Sequence, residues 1–154
     1  MSGAFRLNHA VLYVSDAQRS AEFYRDALGM ETVSDLGSAV FLRLPEGDNH
    51  HDLGLFTVGA SAGAPTGSPR PGLYHLAWEV DSFETLVALR TKLADMGSLA
   101  GESDHGVTLS LYCKDPDGIE FEVCWTLPRE AWGEFETEAV TRLLDWNVAA
   151  SRWG

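Results

Sequence analysis

An internal repeat restricts the fold of this chain more than any other feature of its sequence. Residues 7–30 resemble residues 73–96 at a constant offset of 66, which aligns His9 with His75. Residue identity between the two segments is low, but residue type and expected structural role agree along their length. The repeat therefore favours a duplicated structural module.

Each copy contains a predicted helix with its own start and stop signals. The capping boxes, which satisfy free backbone N–H groups of the first turn, are Ser15 with Gln18 and Asp81 with Glu84. A glycine lies where each helix is expected to end, Gly29 in the first copy and Gly97 in the second. These signals strengthen the interpretation that the chain is duplicated.

The segments around the helices have the alternating, β-rich pattern of strands. We expect strands at 7–14, 38–44 and 51–58 with a helix at 16–28, and then strands at 73–80, 108–114 and 119–126 with a helix at 83–96. A small, proline-rich stretch between the copies indicates a linker. The expected organisation is one domain over residues 1–154, with module one at 5–58, the linker at 59–72 and module two at 73–127.

The last part of the chain has a different pattern. Its large apolar residues recur every three or four positions: Trp132, Phe135, Ala139, Leu143, Trp146, Ala150 and Trp153. This spacing predicts one amphipathic helix over residues 129–153. The apolar stripe could pack on its own domain or on a partner subunit, because helical spacing alone does not choose between them.

Charge and composition restrict the partners. Eleven Lys and Arg face 23 Asp and Glu, and the net charge of −12 repels phosphate backbones and anionic lipid. No apolar run approaches the roughly 18 residues that span a bilayer, and no signal peptide is expected. The two cysteines, Cys113 and Cys124, fit a reducing cytoplasm. We therefore expect a cytoplasmic protein that binds a small molecule, without nucleic acid or membrane partners, and that forms a homodimer or higher homo-oligomer.

Three side chains could form a metal site. His9 and His75 lie near the start of equivalent strands, and Glu122 lies in the last strand of module two. If the modules pack face to face, all three can point into one cleft. Two imidazoles and a carboxylate suit non-haem Fe(II), with Mn(II) the nearest substitute, whereas zinc accepts the same donors without supporting oxygen chemistry. The alternative for each histidine alone is a hydrogen-bonded polar residue of a strand.

These residues resemble those of a known family. The paired βαβββ modules with His9, His75 and Glu122 resemble the vicinal oxygen chelate superfamily of glyoxalases, bleomycin resistance proteins and type I extradiol dioxygenases. The run HGVTLSLYCKDPDGIEFE at residues 105–122 is similar to the signature of the extradiol enzymes. Among these, the chain resembles single-domain proteins related to catechol 2,3-dioxygenase. The resemblance implies an α+β fold in which the modules form a curved mixed sheet around a metal cleft.

The same resemblance implies a reaction and a role for each residue. It indicates an Fe(II)-dependent dioxygenase of aromatic catabolism that opens the ring of a catechol-type diol with O2. The implied metal ligands are His9, His75 and Glu122. His51 matches the histidine that handles protons of the substrate and of the oxygen-derived intermediate. Tyr112 and His105 match groups that hydrogen-bond the bound catecholate and close the pocket.

Further residues extend the predicted site. Alignment of Pro45 with Pro116 places His51 opposite Glu122. Three large apolar residues could line the cleft and contact an aromatic substrate, namely Leu53, Trp78 and Trp125.

Two other functions of the same superfamily remain open on the sequence. A glyoxalase-like isomerase or lyase, which would use Ni(II) or Zn(II), usually has a carboxylate opposite Glu122. His51 argues against it, but a one-residue shift in register would present Asp52 instead. The second alternative is a drug-sequestering binding protein, for which the negative charge would suit a cationic ligand but which would not need the three metal-binding side chains.

Overall fold

The computed structural model describes residues 6–59 and 73–154. It divides the chain into two compact units, Met1–Ser68 and Pro69–Gly154. The strands form two mixed sheets, one of four strands and one of five, so the predicted α+β class is confirmed. The predicted linker at 59–72 lies outside the described residues except for Gly59. Of the helices in the described ranges, none is both long and apolar enough to cross a membrane.

The first unit has the βαβββ order that the family resemblance implies, and it contains one strand, Glu31–Asp35, that the sequence pattern does not predict. Its elements are β1 (Ala10–Val14), α1 (Ala17–Leu28), β2 (Glu31–Asp35), β3 (Ala39–Arg43) and β4 (Leu53–Thr57). The strand order is β1-β4-β3-β2, with β1 parallel to β4 and the other pairs antiparallel. Alternation along the strands directs one set of side chains into the core under α1: Leu12, Val14, Val40, Leu42, Leu53 and Leu55.

The second unit repeats this order and extends it. Its elements are β5 (Leu76–Val80), α2 (Phe83–Asp95), β6 (Leu99–Asp104), β7 (Thr108–Lys114), β8 (Glu120–Thr126), β9 (Arg142–Leu143) and α3 (Trp146–Trp153). The strand order is β5-β8-β7-β6-β9, with β5 parallel to β8. The core of this sheet packs under α2 and contains Phe83, Leu86, Leu93, Leu109, Leu111, Phe121 and Val123.

The helix caps lie one residue later than the predicted capping boxes. Asp16, and not Ser15, caps α1, because its carboxylate accepts the amides of Gln18 at 2.9 Å and Arg19 at 3.2 Å. Ser82 replaces Asp81 as the cap of α2 and accepts the amide of Thr85 at 3.2 Å. The predicted helix ends are confirmed by two glycines in the left-handed region, Gly29 and Gly97, each with φ of 69°.

The predicted helix over residues 129–153 is wrong in extent. Only α3 is an α-helix, and it is preceded by two 3-10 turns at Arg129–Ala131 and Gly133–Glu136 and by β9. Gly133 has a φ of 52°, which interrupts a helix, and the stretch around Thr137 and Thr141 is rich in β-branched residues that favour other conformations. Asp145 then starts α3 by accepting the amides of Asn147 and Val148.

The tryptophans of this C-terminal segment contact their own unit. The indole N–H of Trp132 donates to the Leu127 carbonyl at 2.8 Å, and that of Trp146 donates to Glu102 at 2.9 Å. The ring of Trp153 lies 5.5 Å from that of Trp125 in an edge-to-face arrangement. Of the two alternatives for the apolar stripe, these contacts correspond to packing on its own domain.

Candidate active site

Three of the predicted site residues meet on one face of the second sheet. Tyr112 of β7 is paired with Glu122 of β8, so both side chains leave the sheet on the same side. His75, just before β5, places its Nε2 atom 3.1 Å from Oε2 of Glu122, and its ring centre lies 5.6 Å from that of Tyr112. This face is opposite to the one that packs under α2, and we call it the open face of the second unit.

The His75–Glu122 pair is largely shielded from water. Glu122 is only 8% exposed, and its carboxylate is directed at the imidazole. The other ring nitrogen, Nδ1, lies 3.7 Å from Oε1 of Glu120, and neither of these two atoms has a hydrogen-bond partner. An imidazole nitrogen and a carboxylate oxygen that converge in this way are suitable donors for a divalent metal.

Tyr112 and His105 form a hydrogen-bonded pair beside these donors. The Tyr112 hydroxyl lies 2.8 Å from Nε2 of His105, and Nδ1 of His105 lies 3.0 Å from the Val140 carbonyl oxygen. A carbonyl can only accept, so Nδ1 carries a proton, and in the neutral imidazole Nε2 then accepts the proton of the Tyr112 hydroxyl. Burial, followed by the negative charge of Glu122, raises the pKa of Tyr112 to about 12. Tyr112 is therefore a neutral hydroxyl at physiological pH.

The open face also carries Cys124 and Glu79, which are paired across β5 and β8. Burial raises the pKa of Cys124 to about 11, and the charges of Glu122 and Glu79 add to this effect. Cys124 is therefore a neutral thiol at pH 7, which makes it a poor nucleophile and a poor metal ligand. Both cysteines are free in the structure.

In the first unit, His9 and His51 lie together. Their ring centres are 4.6 Å apart. Nδ1 of His9 lies 2.8 Å from Oδ1 of Asn8, and the Asn8 amide nitrogen is directed at Asn49, which leaves Oδ1 to accept. His9 therefore donates from Nδ1 and keeps the lone pair of Nε2 free for a ligand or a proton.

His51 has the environment of a base. Its ring contacts His9 and packs edge-to-face on Phe41 at 5.1 Å. Burial lowers the pKa of His51, the charges of His9 and His50 lower it further, and only Asp52 acts in the opposite direction. Because the pKa lies below the usual 6.5, the imidazole is neutral at pH 7 and can accept a proton.

His51 is not at the position that corresponds to Glu122, and the sequence alignment of these two residues was wrong. In the first sheet Val11 pairs with Gly54, and in the second the repeat partner of Val11, Ala77, pairs with Glu122. Gly54 therefore occupies the corresponding position, and a Cβ atom there would come within 3.3 Å of the Val11 side chain.

Turn length explains the error. Eleven positions separate the paired residues Leu42 and Leu53, but eight separate the equivalent pair Cys113 and Phe121. The turn before β4 is thus three residues longer than the turn before β8, and His51 belongs to it. An alignment fixed on the prolines at the start of the two turns cannot detect this difference at their ends.

Asp52 supports this turn and does not face the site. Its Oδ2 atom accepts the Leu44 amide at 2.8 Å, and its Oδ1 atom accepts the Asn49 side-chain amide at 2.7 Å. Both carboxylate oxygens are therefore occupied. The shift in register that would offer Asp52 as a catalytic carboxylate is not observed.

The three apolar residues predicted to line the cleft lie on other faces. Leu53 is fully buried in the core under α1. Trp78 pairs with Val123, and Trp125 packs against Phe83 and Trp153, so both lie on the face opposite to Glu122. None of the three shares a sheet face with the predicted metal ligand of its unit, because strand side chains alternate between the two faces and these three lie on the helix-covered one.

Sequence reasoning missed the apolar residues that do share a face with His9. Alternate positions after His9 are Val11 and Tyr13, which are 50% and 75% exposed. Phe41 and Phe56 lie on the same face, with ring centres 5.7 Å apart. Counting every second residue from His9 would have identified the first two.

The predicted metal ligands come from both units, His9 from the first and His75 with Glu122 from the second. Within the described part of the chain, no three His, Cys, Asp or Glu side chains form a group that could hold a metal ion. In the first unit the structure describes an imidazole whose Nδ1 is hydrogen-bonded, and in the second unit it describes an imidazole that faces a carboxylate.

Comparisons with known proteins agree with this fold. The family model of the Glyoxalase/Bleomycin resistance protein/Dioxygenase superfamily matches residues 6–123. Biphenyl-2,3-diol 1,2-dioxygenase 3 of Rhodococcus globerulus is 34% identical over 120 residues, which cover 77% of this chain and 62% of that protein. Metapyrocatechase 2 of Cupriavidus necator is 28% identical over 151 residues, which cover 92% of this chain and 44% of that protein.

The chain therefore spans 62% and 44% of the lengths of these two relatives. Among solved structures, that of lactoylglutathione lyase from Agrobacterium tumefaciens superposes with a TM-score of 0.61 at 24% identity and covers 86% of this chain and 99% of that chain. At this identity the likeness shows the fold alone. The match to the family model extends over most of the chain, and the chain belongs to the glyoxalase/bleomycin resistance protein/dioxygenase superfamily.

Proposed function

We propose that this protein is a metal-dependent extradiol dioxygenase, which cleaves the ring of a catechol-type aromatic diol with O2. The observation that supports it most is the cluster on the open face of the second unit. There the His75–Glu122 donor pair lies beside Tyr112, which is hydrogen-bonded to His105. The names of the two relatives as dioxygenase and metapyrocatechase agree with this reaction.

His75, Glu122 and His9 would hold the metal, which we propose to be Fe(II) with Mn(II) as the nearest substitute. The residues fit such an ion, because two neutral imidazoles and one carboxylate with remaining open positions are the donors of non-haem iron sites. Bound Fe(II) supplies the positions at which a diolate and O2 are brought together and exchange charge.

His51 would remove a proton from the diol. A catechol loses protons when it becomes a chelating diolate, so a base is needed beside the metal ligands. His51 contacts His9, and its lowered pKa keeps it unprotonated near pH 7. It is therefore ready to accept the proton of an incoming hydroxyl group.

Tyr112 and His105 would orient the ring oxygens of the substrate. The Tyr112 hydroxyl stays protonated, and His105 fixes its position from the side of the C-terminal segment. This neutral hydroxyl has one proton, which would turn from Nε2 of His105 towards negative charge that develops on a substrate oxygen.

The geometry favours this reaction over an isomerase or lyase of the same family. Such an enzyme usually has a carboxylate at the position that corresponds to Glu122 in module one, and here that position is Gly54. The neighbouring Asp52 is bound to the turn through both oxygens. The preorganised His75–Glu122 donors likewise favour a metal enzyme over a drug-sequestering protein.

Oxygen consumption tests the proposal. Protein loaded anaerobically with Fe(II) is mixed with a panel of catechols, and O2 uptake is followed together with the visible absorbance of a ring-opened product. We expect uptake and a yellow product with at least one catechol, and the loss of both in His75→Ala. Metal-loaded protein that consumes no O2 with any diol, but isomerises a hemithioacetal in the presence of Ni(II) or Zn(II), would refute the proposal.

A further inference from the structure

Two shielded polar atoms next to the proposed metal ligands have no hydrogen-bond partner. Nδ1 of His75 and Oε1 of Glu120 are both shielded from solvent, and they lie 3.7 Å apart. A buried donor or acceptor without a partner is costly, so such atoms in a native protein call for an explanation. These two have complementary chemistry, because an imidazole N–H donates and a carboxylate oxygen accepts.

Glu120 and Tyr74 both lie beside His75. The ring of Tyr74 lies 4.7 Å from that of His75. Oε1 of Glu120 lies 3.7 Å from Nδ1 of His75. The negative charge of Glu120 raises the pKa of Tyr74.

The equivalent histidine of the first unit already has a partner of this kind. Nδ1 of His9 is 2.8 Å from Oδ1 of Asn8. At the repeat offset, Asn8 corresponds to Tyr74, which has no carbonyl oxygen in its side chain. The acceptor that Asn8 provides for His9 must therefore come from another element for His75, and Glu120 of β8 is the residue in reach.

We propose that Glu120 is a positioning residue, which accepts a hydrogen bond from Nδ1–H of His75 and thereby presents Nε2 to the metal alongside Glu122. The inference rests on the proposed function, because it assumes the metal of that site. A carboxylate behind a metal-binding histidine fixes its tautomer and ring orientation and strengthens it as a ligand. Closing the gap to an ordinary hydrogen bond needs a movement of only about 1 Å.

Glu120 is not itself a ligand in this arrangement. Its oxygen faces Nδ1, whereas Glu122 faces Nε2 on the other side of the ring. If Glu120 acted on metal binding only through its negative charge, any other carboxylate on the open face would have a similar effect. Glu79 provides the matched control, since it lies on the same face with the same charge and is exposed.

Binding of Co(II) alone to the whole 154-residue chain distinguishes these roles. The dissociation constant is measured by competition with a chelator for wild type, Glu120→Ala and Glu79→Ala, with circular dichroism to verify folding. We expect Glu120→Ala to weaken Co(II) binding about 10- to 100-fold, which is typical of a lost carboxylate partner, and Glu79→Ala to bind close to wild type. Glu120→Gln should recover part of the loss, because its amide oxygen still accepts.

Proton NMR of the Co(II)-loaded proteins tests the proposed hydrogen bond directly. It reports on the N–H group of His75, which would not change if Glu120 served only to stabilise the fold. The shifted, exchangeable N–H signal of His75 should be protected from water in wild type and lost by rapid exchange in Glu120→Ala. Equal weakening in both alanine variants, or unchanged binding in Glu120→Ala, would overturn the role of Glu120 and leave the proposed function standing. Wild-type protein that binds no Co(II) would overturn both.

Discussion

Oε2 of Glu122 lies 3.1 Å from Nε2 of His75, so the carboxylate and the imidazole are in direct contact. The two residues belong to different elements, with His75 just before β5 and Glu122 in the middle of the adjacent strand β8. The parallel pairing of these strands fixes the separation of the donors, and the site in the second unit is thus a property of sheet register.

His75→Ala should remove the metal without unfolding the protein. The side chain lies at the end of a strand and outside the core, so its loss creates no large cavity. Metal content after dialysis and a thermal unfolding curve measure the two effects. His50→Ala, which removes an exposed histidine of the first unit, serves as control and should retain the metal. Full metal content in His75→Ala would show that the ligand assignment is wrong.

Tyr112→Phe should bind metal normally and turn over more slowly. The substitution keeps the ring and removes only the hydroxyl that lies 2.8 Å from His105. Loss of one preorganised donor typically lowers kcat by about 100-fold or more. Steady-state oxygen uptake at matched iron content measures the change. If the rates were equal, Tyr112 would have no part in the reaction.

Glu102→Gln should destabilise the second unit at neutral pH. Burial alone would raise the pKa of Glu102, but hydrogen bonds from Arg90 and Trp146 and the charge of Arg90 hold it below its usual value. A carboxyl group with a depressed pKa contributes stability above its unfolded pKa and loses it as the pH falls through the folded pKa.

The expected loss for Glu102→Gln is about 1–3 kcal/mol at pH 7, because a charged hydrogen-bond acceptor is replaced by a neutral one. Urea unfolding at neutral pH and at about pH 3 measures it, and the difference from wild type should shrink in acid. The exposed Glu130→Gln provides the charge control. If the difference in unfolding free energy between Glu102→Gln and wild type were the same in acid, the Arg90–Glu102 ion pair would not be its source.

Gly106→Ala should loosen the C-terminal segment. Gly106 has a φ of 78°, and a Cβ atom there would overlap the ring of Phe135. Gly118→Ala is a matched control, since its φ is 79° and no atom lies within 4 Å of the added methyl group. Backbone strain applies to both, so the excess cost in Gly106→Ala, about 1–3 kcal/mol for overpacking, reports the Phe135 contact. Equal melting temperatures for the two alanine variants would refute this role of the Phe135 contact.

The repeat made most of the fold predictable, and the elements it missed share a physical cause. β2 and β6 are polar strands whose first residues are displaced by bulges, so neither has the alternation of a half-buried strand. The C-terminal helix was overextended because helical spacing was counted across Gly133, where the backbone has a positive φ.

The candidate site was predictable where it depends on strand register and not where it depends on turn length. Tyr112 and Glu122 lie in one regular ladder, and the structure pairs them. His51 follows a turn with three extra residues, which the alignment could not measure. The partner of His105, the Val140 carbonyl, is a backbone atom 35 residues away and has no signature in side-chain chemistry.

That last contact ties the C-terminal segment to the chemistry of the second unit. The segment lies outside the repeat, yet its one carbonyl decides which nitrogen of His105 carries hydrogen and so which way the Tyr112 hydroxyl points. The packing of the C-terminal segment therefore determines which ring nitrogen of His105 is protonated. If the segment detached from the sheet, either nitrogen could carry the proton, although no residue of the sheet had changed.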